Sequence, residues 1–315
     1  MKFRYLISLV VATALLTGCN NEDDLGTKVT NGMLRATMES NASGMARAGF
    51  DANGVFYWSE GDRLGVTMQN GADYTTGFTA LTLVEGGAGQ ATASFSGNMT
   101  GTIAGYAAYP YNDGHAVSTT GGTTTLTYNF PKEYSYTKVD ADYQTDTKGK
   151  GNSYNPAMWG KIENSNVALK HLGGVFCIKF AKLPVGNNLK LTFTADQKIV
   201  GKYTVALSGN EPKLEATTAT DDSEKTVSIA FSNDDKNTSG TFYIPVPTGN
   251  YTNVRVKILN DTEELANVFG GSYTIARKDL KKLSISSGTI TGGEAQTVSS
   301  VSEVAGAFGK KNRIK

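Results

Sequence analysis

Apolar and polar residues alternate with a period of two along most of this chain. Leu189, Leu191 and Phe193 alternate with Lys190, Thr192 and Thr194. Val227, Ile229 and Phe231 do so against Ser228 and Ala230, and Val254, Val256 and Ile258 against Arg255 and Lys257. Sustained period two marks a strand with one face in a core and the other in water. Shorter runs at Val175–Phe180, Lys202–Leu207, Thr241–Val246 and Lys282–Ile285 extend the pattern. The first half predicts strands at Met33–Met38, Val55–Trp58, Arg63–Met68, Phe78–Leu83, Ala91–Ser96, Gly105–Tyr109 and Thr123–Phe130. Between Pro131 and Pro156 no period is visible, and a long loop is expected. Short strands at this spacing, separated by Gly and Asn and without a helical stretch, predict an all-β fold of antiparallel sandwiches. Two such sets predict two tandem sandwich domains with a boundary near Asn164–Asn166.

The ends depart from this pattern. Residues 1–18 combine Lys2 and Arg4 with an apolar run from Tyr5 to Leu16, which reads as a secretory signal too short to span a bilayer. It closes on Leu16-Thr17-Gly18-Cys19, which resembles the lipobox of bacterial lipoproteins. That implies that the Cys19 thiol takes a diacylglycerol and that the mature chain begins there. Residues 19–31, with Glu22, Asp23 and Asp24, form a polar tether. The first sandwich is expected over residues 32–165, the second over 166–288 and a tail over 289–315. In the tail Val298, Val301, Val304 and Phe308 fall at loosely helical spacing. A short helix, a disordered end and an extended strand for a partner all stay open there.

Composition narrows the chemistry. The 315 residues carry a formal charge of +1, and losing Lys2 and Arg4 makes it slightly negative. That balance offers no electrostatic case for nucleic acid, and leaves the lipid as the membrane device. With 36 Gly, 15 Tyr and 13 Phe against 7 Pro, the balance is that of a secreted β protein. There are 2 cysteines. With Cys19 acylated, no intrachain disulfide is expected, and Cys177, between Phe176 and Ile178, reads as a small buried thiol.

Catalytic patterns are missing. His171 lies at the mouth of a strand, where pairing to backbone is expected, and His115 lies in a loop expected to be exposed. Neither has zinc-ligand spacing. No Gly-x-Ser-x-Gly elbow or phosphate loop occurs, and Gly86-Gly87-Ala88-Gly89 reads as a hairpin turn. Asp221-Asp222, Asp234-Asp235 and the Asp140/Asp142/Asp146 set read as solvated loop acids, forming neither a glycosidase pair nor a complete calcium loop. The expectation is a non-enzyme without cofactor or metal. Tyr134, Tyr136, Tyr143, Tyr154 and Trp159 cluster in and after the long loop. Such rings either stack on sugars or cover core edges, which makes Tyr134, Tyr136 and Trp159 candidate glycan contacts.

Several motifs carry a family resemblance. Tyr57-Trp58-Ser59-Glu60-Gly61-Asp62-Arg63-Leu64-Gly65-Val66 resembles the Trp-x-x-Gly-Asp-x-ϕ-Gly-Val-like segment in the first domain of the fimbrillin (type V pilin) family of Bacteroidetes surface lipoproteins. Tyr106-Ala107-Ala108-Tyr109-Pro110, Phe130-Pro131 and Pro156-Ala157-Met158-Trp159 resemble later marks of that family, in order. Leu169-Lys170-His171-Leu172-Gly173-Gly174-Val175 is similar to the start of its second domain. Phe242-Tyr243-Ile244-Pro245-Val246-Pro247-Thr248-Gly249-Asn250-Tyr251 is similar to its late turn. The resemblance covers residues 1 to about 288.

It implies two transthyretin-like Greek-key sandwiches and a structural or adhesive role in fimbriae on the outer face of the outer membrane. It also implies cleavage after an arginine behind the first strand, with Arg47 in Met45-Ala46-Arg47-Ala48 as the candidate site and Arg35 second. Loss of the strand carrying Met33, Leu34, Ala36 and Met38 would open a groove that another pilin subunit, or a second copy, fills by β-strand addition. The family's donor is the C-terminal segment. Here Thr289–Ser300 is rich in Thr, Gly and Ser with little alternation, which favours a tip, anchor or non-polymerising subunit over a shaft subunit. The receptor would be a host or bacterial surface glycan or protein. The rival reading is a surface glycan-binding lipoprotein of a carbohydrate-uptake system.

Overall fold

Period-two segments become strands throughout the computed structural model, which describes residues 30–39, 49–50, 56–120, 123–135, 156–206, 211–215, 221–235, 239–261, 264–285 and 296–297. The first half supplies β1 (Thr30–Met38), β2 (Gly49–Phe50), β3 (Phe56–Tyr57), β4 (Arg63–Asn70), β5 (Asp73–Tyr74) and β6 (Thr79–Leu83). It continues with β7 (Thr92–Met99), β8 (Ile103–Tyr109), β9 (Ala116–Thr120), β10 (Thr123–Phe130), β11 (Glu133–Ser135), β12 (Met158–Glu163) and β13 (Asn166–His171). The second half supplies β14 (Gly173–Phe180), β15 (Gly186–Thr194), β16 (Gly201–Ala206), β17 (Lys213–Leu214) and β18 (Thr226–Asn233). It ends with β19 (Gly240–Pro247), β20 (Gly249–Leu259), β21 (Glu264–Ile275), β22 (Leu280–Ile285) and β23 (Gln296–Thr297). The chain is all-β: among the described residues the helical content is one 3-10 turn, Asp222–Lys225.

The first sheet runs β5-β4-β6-β7-β1-β13-β12-β8, and β8 pairs again with β4. Hydrogen bonding therefore closes on itself around a core of Leu34, Ala36, Leu64, Val66, Leu81, Phe95 and Leu169, with Trp58 among them. The second unit is a sandwich. A six-stranded sheet, β11-β18-β15-β20-β21-β23, faces a three-stranded one, β19-β14-β22. The alternating residues read from the sequence (Leu189, Leu191, Phe193, Val227, Ile229, Phe231) meet Phe176, Ile178, Phe242 and Ile244 between them.

Four expectations are corrected. The sheets are mixed rather than antiparallel: β1–β13, β14–β22, β11–β18 and β21–β23 are parallel pairs. Each joins strands far apart in sequence, where a long connection permits either direction. The expected boundary at 165/166 falls inside the β12–β13 hairpin, which stays in the first sheet with Asn164 and Ser165 in left-handed conformation at its tip. The halves are also joined by a third sheet, β17-β16-β10-β9, over its own core of Val117, Leu126, Tyr128, Phe130, Tyr203 and Val205. His115 is not exposed. It is 2% accessible and stacked on Tyr128 at 4.2 Å. Finally, the expected loop after Pro131 begins with β11, which joins the edge of the second sandwich.

Candidate functional site

Strand β1 is the element on which a strand-exchange function would turn. It pairs antiparallel with β7 from Thr30↔Met99 to Thr37↔Thr92, and parallel with β13 from Arg35↔Asn166 to Met38↔Leu169. Its alternation sends Leu34 and Ala36 (0% exposed) and Met38 into the first core, while Met33 is 60% exposed and Arg35 and Thr37 face solvent. A Cβ at Gly32 would lie 2.7 Å from Met99 and 2.8 Å from Ile103, so both side chains would have to shift to admit one. Burying Leu34 and Met38 contributes about 1.5–3 kcal/mol each. That is enough to seat a strand and small enough for a competing strand to match.

The two proteolysis candidates separate. A protease binds its substrate as an extended chain, and the backbone at Arg35 is committed on one side to Ser94 and on the other to Asn166 and Ser165. Inserted β1 thus shields Arg35. Arg47 lies outside the described residues, as do Cys19 and Tyr136. Of the aromatic platform, Trp159 is 7% exposed within the third core, and Tyr134 is half-buried and packs against the second core. The Trp159 ring is thus closed to a sugar.

Two of the resemblance motifs meet under β1. Trp58 packs edge-on against Phe95 at 4.6 Å and Tyr109 at 5.2 Å. The turn after it places Gly61 at φ +84°, which only glycine adopts freely. Asp62 closes that turn by accepting the Ser59 N–H at 2.7 Å, and Tyr109 donates its hydroxyl to the other carboxylate oxygen at 2.8 Å. Burial pushes the Asp62 carboxyl up to about 6 against both bonds. These residues build the wall of the groove in which β1 sits.

No family model and no curated protein matches the chain. Solved structures do match. A Bacteroides ovatus protein assigned to cell adhesion aligns at 12% identity over 82% of this chain and 92% of its own, with a TM-score of 0.43. The tip fimbrial protein Mfa3 from Porphyromonas gingivalis aligns at 10% identity over 82% of this chain and 95% of its own, at 0.27. The fimbrial anchor protein Mfa2 from Porphyromonas gingivalis aligns at 12% identity over 75% and 80%, at 0.26. The structural neighbours are adhesion and fimbrial proteins. At such low identities and scores these likenesses carry no functional weight by themselves.

The C-terminal end of β1 is held by charge. Glu39 follows Met38, donates its N–H to Leu169 O at 2.8 Å and is 16% exposed in its side chain. Arg277 grips its carboxylate with both terminal nitrogens, at 2.6 and 3.3 Å, and Lys278 reaches it at 2.7 Å. The His171 N–H donates to the same carboxylate at 3.2 Å. Burial pushes the Glu39 carboxyl up, but the bonds from Arg277 and Lys278 outweigh it and hold the pKa below the ordinary carboxylate range. The cations are rigidly presented. Their turn is pinned by Ala276 N–H to the Asp279 carboxylate at 2.8 Å, and by Lys278 N–H to Gly173 O at 2.9 Å. Arg277 also bonds the Glu211 carboxylate and donates to His171 O at 3.2 Å. None of this was legible in the sequence. Glu39 and Arg277 stand 238 positions apart, and each is one charged residue among many.

Proposed function

We propose that this protein is a fimbrial or adhesive surface subunit of two tandem transthyretin-like sandwiches, exported as a lipoprotein on Cys19 and assembled by strand exchange after cleavage at Arg47. The observation that carries the reading is the position of β1, paired with β7 over Thr30–Thr37 and with β13 over Arg35–Met38. Residues 40–48, with Arg47 among them, are the link that would have to be cut. Release of β1 would unpair two facing edges and uncover the apolar wall around Trp58, a template for a strand from another pilin subunit. Cleavage would also free the rest of the chain from its lipid. An uncut copy would stay on the outer membrane as an anchor, and the polar Thr289–Ser300 segment favours such an accessory role over a shaft.

An Arg-specific protease added to the full-length protein is expected to cut after Arg47 and leave Arg35 intact. The nicked protein is then expected to trade β1 for a labelled 30–47 peptide. A nicked protein that takes up no peptide would sink the strand-exchange reading. In cells, Cys19→Ala is expected to abolish labelling by radioactive fatty acid and release the protein from the membrane fraction. Unchanged labelling would remove Cys19 as the lipid site.

A further inference from the structure

We propose that Arg277, Lys278 and the His171 N–H form a carboxylate receptacle that selects and registers the strand occupying the β1 groove, so that an incoming strand must carry Asp or Glu directly after its last inward apolar residue. The proposal rests on the strand-exchange reading and adds the chemistry of the partner. In the intact chain the receptacle is filled by Glu39, whose two oxygens take bonds from three groups on two separate elements. The receptacle lies where β1 ends and belongs to the body of the protein, so it stays behind if β1 leaves.

The apolar groove alone fixes register weakly. A strand slipped by two residues again presents alternate side chains inward, and only the fit at individual positions opposes it. A charged receptacle at one end removes that freedom. A two-residue slip withdraws the acid from Arg277 and Lys278, and a reversed strand puts it at the far end of the groove. A neutral residue at that position removes the carboxylate that Arg277 and Lys278 share, leaving Arg277 its bond to Glu211, and a basic residue sets a third cation beside the pair at low exposure, the costlier outcome. The occupant is therefore an extended segment running in the direction of β1, with apolar residues one, three and five positions before an acid, as Met38, Ala36 and Leu34 stand before Glu39.

The tail of this chain lacks that pattern. Glu294 is preceded at those positions by Gly293, Thr291 and Thr289, and Glu303 by Ser302, Ser300 and Val298. The receptacle thus points to a strand from a different chain rather than to the tail of a second copy.

The test uses the full-length protein with a specific protease site placed within residues 40–48, so that nicking does not depend on Arg47. Labelled, C-terminally amidated peptides of residues 30–39 carrying Glu, Gln or Lys at position 39 are offered to the nicked protein, and their exchange against β1 is measured. The expected order is Glu first, Gln roughly tenfold weaker and Lys about a hundredfold weaker. A variant with Arg277→Glu and Lys278→Glu is expected to reverse the preference between the Glu and Lys peptides. Equal exchange of all three peptides overturns the receptacle while leaving strand exchange intact. Exchange of none overturns both.

Discussion

Replacing Trp58 with alanine is expected to remove about 3–5 kcal/mol from the first unit, the largest single-residue loss anticipated in this protein. Trp58 is fully buried between Phe95 and Tyr109, and its backbone ties the chain to Gln90 O at 2.9 Å and to the Gly89 N–H at 2.8 Å. The loss joins two terms. Indole burial disappears, and the closed ring of strands cannot collapse onto the space left behind because its register is set by hydrogen bonds on every side. Chemical denaturation followed through Trp159, which reports from the third core, measures the shift in midpoint. A loss below about 1 kcal/mol would contradict the central position given to Trp58. The variant also bears on function, since β1 lies against the same core and should exchange faster.

Acidification is expected to destabilise the protein between pH 6.5 and 4, by roughly 3–4 kcal/mol in total at pH 4. The cause is two buried histidines. Burial pushes His115 down to about 4, although its bond to Pro110 O favours the charged ring. The tautomer is set by its neighbours. Asn129 N–H donates to Nδ1 at 3.1 Å, so Nε2 carries the proton that reaches Pro110 O at 3.0 Å. A second proton on Nδ1 would face an N–H. Burial likewise pushes His171 down to about 4. Glu39 pulls its pKa up, and Arg277 and Lys278 push it down.

Both folded values lie below the ordinary 6.5. Their contribution is therefore complete above pH 6.5 and is lost as pH falls through 4, at about 3 kcal/mol each by pH 4. Asp62 runs the other way. Its carboxyl is raised from 3.8 to about 6, so its contribution is present below 3.8 and is lost as pH rises through 6. Acidification thus returns about 2 kcal/mol through this group. Unfolding midpoints at pH 7 and pH 4, with imidazole resonances titrated in parallel, check the balance. Ring pKa values near 6.5, or a midpoint that does not fall on acidification, would refute it.

The sequence by itself determined the strands and the faces they bury. Alternation is local: Leu34, Ala36 and Met38, or Leu189, Leu191 and Phe193, must share one side of a pleated chain wherever that chain goes. The hairpin turn at Gly86–Gly89 was legible because its glycines are a local signal too. Where the local signal was weak, strands were missed. Ala116–Thr120 is mostly hydroxyl-bearing, Met158–Glu163 is interrupted by Gly160, and Glu264–Ile275 contains Gly270-Gly271 and shifts register against β20.

Only the tertiary structure decided which strands meet. Backbone hydrogen bonds are chemically alike along any strand, so nothing in the residues of β1 names β13 as its parallel neighbour, or β16 as the partner of β10. Those pairings also join β9 and β10 of the first half to β16 and β17 of the second in one sheet. The same holds for the receptacle around Glu39. An acid after a strand and an Arg-Lys pair in a distant turn are ordinary surface residues until the fold closes them onto one carboxylate and shields them from water. That shielding turns three common charges into a site that can discriminate, and it arises from packing rather than from any motif.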